Sequence, residues 1–317
     1  MDKRKAEDIY RKMAAIRAFE EKVEELFAAG ELPGFVHLYI GQEACAVGVC
    51  ANLEPQDYIT STHRGHGHCI AKGGKLDRMM AELYAKKTGY NKGKGGSMHL
   101  ADTSSGILGA NGINAGGLPL AVGAALSARY QNNGRVAVAF FGDGASNQGT
   151  FHESLNLAAA LGLAVLFVCE NNQFAVGSRI TETTGTGQIV KRAEGYGILG
   201  VSADGMNVLS VYEAARQAVE AARQGKGPIL LELNTWRFRP HFQGEPASYR
   251  TKEEEAQWLE RDPLIIARKE LAAGGLLAEE QFAEIQRQVQ DELREAVEFA
   301  RSSPDPDPED ALLDVFA

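Results

Sequence analysis

An aspartate flanked by glycines, Gly142-Asp143-Gly144, stands 26 residues before an amide pair, Asn171-Asn172, and side chains of these types could share one metal ion. A carboxylate, an amide oxygen and a nearby backbone carbonyl are hard oxygen ligands. They are too few to complete an octahedral Mg²⁺ unless a diphosphate supplies the remainder. Gly142 and Gly144 keep side chains away from the acid, so backbone N–H groups at a helix start could point at phosphate oxygens. Taken singly, Gly-Asp-Gly and Asn-Asn are common turn sequences. The stretches around them decide whether they meet.

Val136 to Phe141 is short, apolar and rich in β-formers, which reads as a buried parallel strand ending at Gly142, and Ala164 to Cys169 reads the same way. Between them, Asn147 to Leu161 carries Phe151, Leu155, Ala158 and Ala159 near helical spacing. The segment is therefore a strand, crossover helix and strand, with Asp143 and Asn172 at the carboxyl ends of two parallel strands. Open α/β sheets bind ligands at that end.

Ala6 to Ala29 repeats apolar residues every three or four positions, an amphipathic opening helix, and a second helix is expected from about Gln42. Asp57 to Thr62 reads as a short strand. Lys72 to Gly96 turns basic and glycine-rich, a long surface loop after a helix. Its Gly89-x-x-x-Gly93-Lys94-Gly95 lacks the spacing of a mononucleotide P-loop. The glycines and alanines of 114–133 suit a closely packed helix, 181–191 reads as an irregular loop, and helix 211–223 precedes strand 228–235. Beyond Trp236 the pattern is helical, with Phe282, Ile285, Val289, Leu293, Ala296 and Ala300 forming a stripe that packs on its own domain. The final apolar run, Ala311 to Phe316, is suited to docking, on this chain or a partner.

At 317 residues the chain has room for a substantial core, and its 44% apolar content contains no uncharged stretch long enough for a membrane span. Met1 to Lys5 lacks a secretory apolar core, so the cytoplasm is the expected location. Cys45, Cys50, Cys69 and Cys169 have neither C-x-x-C nor zinc spacing and read as reduced thiols. A net charge of −9 argues against general nucleic-acid binding.

Other polar clusters lie far from the metal motif: Gly34 to Ala44, Thr60 to His68, Lys92 to His99, and Arg237 to Pro246. Together with Gly142 to Gly149 and Glu170 to Phe174, they resemble the α subunit of the decarboxylating component of 2-oxo-acid and acetoin dehydrogenase complexes, over most of residues 6–265. The resemblance implies an α/β thiamine-diphosphate-binding fold: a mostly parallel central sheet, helices on both faces and a helical C-terminal segment. It implies one domain over 1–317, with an N-terminal helix in 1–35 and a helical extension in 250–317.

The implied cofactors are thiamine diphosphate and Mg²⁺. Asp143 and Asn172 would bind the metal through side chains and Phe174 through its carbonyl oxygen. His63 and Arg64 would contact the diphosphate, with Gly142, Gly144 and Ala145 beside it. Gly112 and Asn114 would face the aminopyrimidine through backbone groups, and Arg237 would support the site. His37 and His241 would face the reacting carbonyl, stabilising oxyanion charge or moving a proton. His66 and His99 have structural or supporting roles.

The cofactor bears the carbanion chemistry, and the acyl fragment passes to a lipoyl group on an acyltransferase component. Thr62 to Gly73 looks more like acetoin dehydrogenases than pyruvate dehydrogenases, so acetoin is the expected substrate, with pyruvate and then branched-chain 2-oxo acids as alternatives. The chain has room for only one of the two halves of a thiamine enzyme. A β subunit should supply the other, in an assembly of two α and two β subunits. A non-catalytic scaffold subunit that keeps the metal pocket is the alternative of another class. A nicotinamide enzyme lacks its glycine fingerprint here.

Overall fold

The computed structural model describes residues 1–314. A six-stranded parallel sheet forms its centre, built from β1 (Tyr58–Thr60), β2 (Ile107–Gly109), β3 (Ala137–Gly142), β4 (Val165–Asn171), β7 (Leu199–Asp204) and β8 (Ile229–Asn234) in the order β2-β1-β3-β4-β8-β7. A small antiparallel hairpin, β5 (Phe174–Ala175) and β6 (Ser178–Arg179), follows β4.

The central strands alternate faces with the period of two that a pleated strand imposes. Val138, Phe140, Leu166, Val168, Ile229 and Leu231 point into one apolar core, while Ala137, Ala139, Phe141, Val165, Phe167 and Leu230 point into the other. Because both faces are covered, the strands read as continuous apolar runs. The first core is closed by α1 (Lys3–Ala28), α2 (Glu43–Cys50), α3 (His66–Lys72), α4 (Leu76–Leu83) and α8 (Val208–Ala221), backed by α10 (Pro263–Ala273) and α11 (Glu279–Ser302). The second is closed by α5 (Gly117–Tyr130) and α6 (Gly149–Leu161). The short helices α7 (Ile180–Thr183) and α9 (Lys252–Leu259) complete the set. The expected parallel sheet with helices on both faces is what the chain forms.

Each stripe residue of α11 from Phe282 to Ala300 is buried, and the helix lies against α1 and α4. Arg17 on α1 ties this side together, donating to Glu43 Oε1 at 2.7 Å and to both oxygens of Asp262, the N-cap of α10, at 2.9 and 3.2 Å. Among the described residues no helix is long and apolar enough to cross a membrane. All four cysteines are free and buried. Residues 315 and 316 of the expected C-terminal docking segment lie outside the described residues.

Two local readings change. Residues 237–251, read as part of a helical pattern, are irregular, and helix resumes only at Lys252. Residues 72–96 are not all loop, since α4 occupies Leu76–Leu83. The glycine-rich segment after it does wrap an anion, but the anion is the chain's own Glu82. This buried carboxylate accepts four backbone N–H bonds, from Asn91 and Gly93 at 2.7 and 2.9 Å and from Gly95 and Gly96 at 2.8 and 3.1 Å. Gly93 sits at φ +79°, where a Cβ would lie 2.5 Å from the Ala85 backbone. The C-terminal segment lies over the same loop, with Lys87 pairing to Asp307 and Asp310 at 2.6 and 3.0 Å on the surface.

Charge-assisted bonds to a buried carboxylate are the stronger kind. Glu82→Gln is expected to cost about 2 kcal/mol, the scale of a hydrogen bond to a charged group, read as a lower denaturant midpoint. Lys87→Ala leaves the midpoint where it was. An unchanged midpoint for Glu82→Gln would contradict the role given to the carboxylate.

Candidate functional site

Three neighbouring parallel strands, β3, β4 and β8, end within one residue of the same level and deliver a polar residue each. Gly142 of β3 pairs with Glu170 of β4, and Asn171 pairs with Asn234 of β8, so Asp143, Asn172 and, three residues past β8, Arg237 emerge at the same edge. β1 pairs with β3 on the other side, and Ser61 to Arg64 follow from it. An open cleft of about 760 Å³ lies over these ends, lined among others by Gln42, Thr62, His63, Arg64, Asp143, Asn172, Phe174 and Arg237.

On its floor the expected metal ligands come together. Asn172 donates from Nδ2 to Gln42 Oε1 at 3.0 Å, which turns its Oδ1 towards Arg237 Nε at 3.2 Å. The Phe174 carbonyl accepts from Arg237 Nη2 at 3.3 Å. Asp143 begins a tight turn closed by Ser146 Oγ, which donates to the Asp143 carbonyl at 2.7 Å. Burial pushes the Asp143 carboxyl up to about 6, with Arg237 opposing.

Asp143 Oδ2, Arg237 Nη1 and Gln42 Nε2 are buried without hydrogen-bond partners, and all three residues line the cleft. Buried polar atoms are rarely left so. A bare carboxylate oxygen beside an amide and a backbone carbonyl suits a divalent cation, and an unpaired guanidinium N–H suits an anion. This donor and acceptor set fits a metal-bound diphosphate.

Two imidazoles of the lining, His63 and His241, cluster with a third, His37, which is not itself among the lining residues. His37, His63 and His241 have ring centroids 4.7, 5.3 and 5.2 Å apart. Burial, then the charge of Arg64, pushes their pKa values down to about 4, 2 and 3, so all are neutral at pH 7. Their nitrogens lie within 4.8 Å of one another, close enough for an ion that favours imidazole. Against that, Arg64 Nη2 is 3.5 Å from His241 Nδ1, so the cluster faces a fixed positive charge. Arg64 is held by the carbonyls of Leu38 and His241 at 2.7 and 3.0 Å, and burial lowers its pKa to about 9. The cleft's upper wall is thus built for an anion.

The other expected positions divide. Gly142, Gly144, Ala145 and Asn114 line the cleft, whereas Gly112 does not, and a Cβ added there would stand 3.5 Å from the His99 ring. Gly142 has open space beside it, but a Cβ on Gly144 would meet Ala175 Cβ at 2.5 Å. The second glycine therefore lets the β5–β6 hairpin close over the turn. His66 is buried away from the cleft between Glu20, at 3.0 Å, and Ser97, at 2.9 Å, a structural position. Gln42 and Glu170 were given no role by their sequence context, yet both line the cleft. Glu170 accepts from the Tyr39 hydroxyl and lies 3.0 Å from His68 Nε2, whose Nδ1 is 2.7 Å from Ser61 Oγ. A charged residue at the end of an otherwise apolar buried strand was the available signal.

The sequence profile of the family described as "Dehydrogenase E1 component" matches residues 11–309. The α subunit of acetoin:2,6-dichlorophenolindophenol oxidoreductase from Bacillus subtilis is 51% identical over 97% of this chain and 92% of that one. Its counterpart from Cupriavidus necator is 47% identical over 100% and 95%. The α subunit of the pyruvate dehydrogenase E1 component from Porphyra purpurea is 40% identical over 98% and 92%.

The neutral imidazoles carry a pH signature. An unfolded histidine takes up a proton near its ordinary 6.5, whereas the folded rings resist until far lower, so their stabilisation is complete above about 6.5 and is lost as pH falls. Asp143 works in the opposite sense between 3.8 and about 6, one group against three. His63→Gln should make the fall of the thermal midpoint between about pH 6.5 and 5 shallower. An unchanged slope would contradict neutral burial of this ring.

Proposed function

The chain belongs to the dehydrogenase E1 component family, and we propose that it is the α subunit of a thiamine-diphosphate-dependent component that cleaves acetoin and passes the acyl group to lipoyl. The convergence of Asp143, Asn172 and the Phe174 carbonyl beneath Arg64 carries the cofactor side of this reading. The substrate side is supported by the acetoin-named relatives, which exceed the pyruvate-named ones in identity. Pyruvate is the second reading.

In this reading Asp143, Asn172 and the Phe174 carbonyl hold Mg²⁺, and Arg64 and His63 bind the diphosphate, with Gly142, Gly144 and Ala145 against it. Gly112 and Asn114 lie on the aminopyrimidine side. When bound, the cofactor would supply the carbanion chemistry that cleavage beside a carbonyl requires. His37 and His241, neutral at working pH, offer N–H groups to the carbonyl oxygen rather than a cation, and each has capacity to take up a proton as charge develops. Arg64, pinned by two carbonyls, contributes fixed positive charge without reorganising.

A β subunit covers the open side, where Ile113, Asn114 and Val176 stand exposed beside the cleft, and completes the site in a tetramer of two α and two β chains. The acyl acceptor is a lipoyl-bearing acyltransferase, the setting is the cytoplasm, and residues 1–317 act as one cofactor-binding domain.

The test is reduction of 2,6-dichlorophenolindophenol by the chain assembled with its β partner, with thiamine diphosphate, Mg²⁺ and acetoin or pyruvate. Activity is expected with acetoin, and none from the chain alone. High turnover by the isolated chain, or a cofactor-loaded assembly inactive on every 2-oxo acid and acetoin, would contradict it, the latter favouring a scaffold. Asp143→Ala should weaken Mg²⁺-dependent cofactor binding by more than the 10- to 100-fold that outer-shell changes produce, roughly. Unchanged affinity would contradict the metal assignment.

A further inference from the structure

Arg237 does more than border the metal oxygens. Its side chain is 1% exposed, and its hydrogen bonds go to Asn172 Oδ1 at 3.2 Å, the Phe174 carbonyl at 3.3 Å and the Val176 carbonyl at 3.3 Å. Two of the three oxygens proposed to hold the metal thus already face a cation. Nη1 remains buried and unpaired, as does Oδ2 of Asp143.

The charge balance of the cleft points the same way. Among the described residues two carboxylates line it, Asp143 and Glu170, and two guanidiniums, Arg64 and Arg237. Glu170 is turned to Tyr39 and His68. A dication entering alone would leave buried charge uncompensated beside a guanidinium that donates to its own ligands, which a low-dielectric site penalises. A diphosphate entering with it brings the missing negative charge. Each carbonyl oxygen has two lone pairs, so sterics do not forbid sharing. The obstacle is electrostatic.

Resting on the metal-diphosphate reading above, we propose that Arg237 is the resident counter-cation of the metal-ligand oxygens and makes divalent-ion uptake conditional on a bound diphosphate. Free metal ions are thereby kept out of the cleft. Replacing the charge by a neutral side chain of similar length uncouples the two ligands.

The experiment is equilibrium dialysis of Mn²⁺ against the chain assembled with its β partner and stripped of cofactor, with and without inorganic pyrophosphate. The wild-type assembly should take up Mn²⁺ at this site only with pyrophosphate. Arg237→Met should bind Mn²⁺ without pyrophosphate at least tenfold more tightly than wild type, while Arg237→Lys, which keeps the charge, still requires it. Should the methionine variant fail to fold, Arg237→Gln, neutral and able to keep a bond to Asn172, carries the same expectation. Equal or weaker Mn²⁺ uptake by the neutral variants would overturn the inference and leave Arg237 as an orienting group. Absence of uptake by wild type even with pyrophosphate would instead overturn the metal-diphosphate reading, and the inference with it.

Discussion

Parallel register across β1, β3, β4 and β8 is the constraint on which the site depends. Because Gly142 faces Glu170 and Asn171 faces Asn234, the chain leaves β3, β4 and β8 within a residue of the same height, and residues nearly a hundred positions apart arrive side by side. The register is held by apolar residues that alternate between two separate cores. A slip of one residue would exchange those faces and bury the wrong side chains throughout. The positions of Asp143, Asn172 and Arg237 are therefore secured by packing far larger than anything their own contacts supply.

On that frame sits an unusual electrostatic load. Arg64 and Arg237 are almost fully buried, as are Asp143 and Glu170. Burial drives the groups towards neutrality: the Asp143 carboxyl rises, the three imidazoles fall, and both guanidiniums bind their protons less tightly. Such an arrangement is costly in an empty protein and useful in a loaded one, since fixed charges and neutral N–H donors need no reorientation when a charged ligand enters. Three of the buried polar atoms left without partners, on Asp143, Arg237 and Gln42, line the cleft, where a ligand can satisfy them.

Much of the frame was legible in the residues. Two short apolar runs with a helix between them told of β3, α6 and β4, and the stripe from Phe282 to Ala300 told of α11, because burial imposes periods that survive in sequence. The edge strands were harder. β2 has only three residues, and β7, with Gly200, Ser202 and Asp204, is too polar and too little buried to leave an apolar pattern. Helix α4 was hidden inside a basic, glycine-rich segment. The carboxylate at its end, Glu82, organises that segment through bonds to backbone, which carry no side-chain signature. Within the site, Asp143 and Asn172 were readable because one crossover joins them. The meeting of His37, His63 and His241 was not, since three separate loops bring them together; only resemblance to a family placed them in one site. Gly144 shows the opposite hazard: its neighbour is Ala175, so a glycine beside a functional acid can serve packing.

We propose that a divalent cation belongs at the strand ends, between Asp143, Asn172 and the Phe174 carbonyl. Anomalous scattering from crystals of the assembly grown with Mn²⁺ and thiamine diphosphate measures this directly. One strong peak is expected in the cleft, about 2.1 Å from those three oxygens. A peak among His37, His63 and His241 with none at Asp143 would contradict it, and would make the imidazole cluster the metal site.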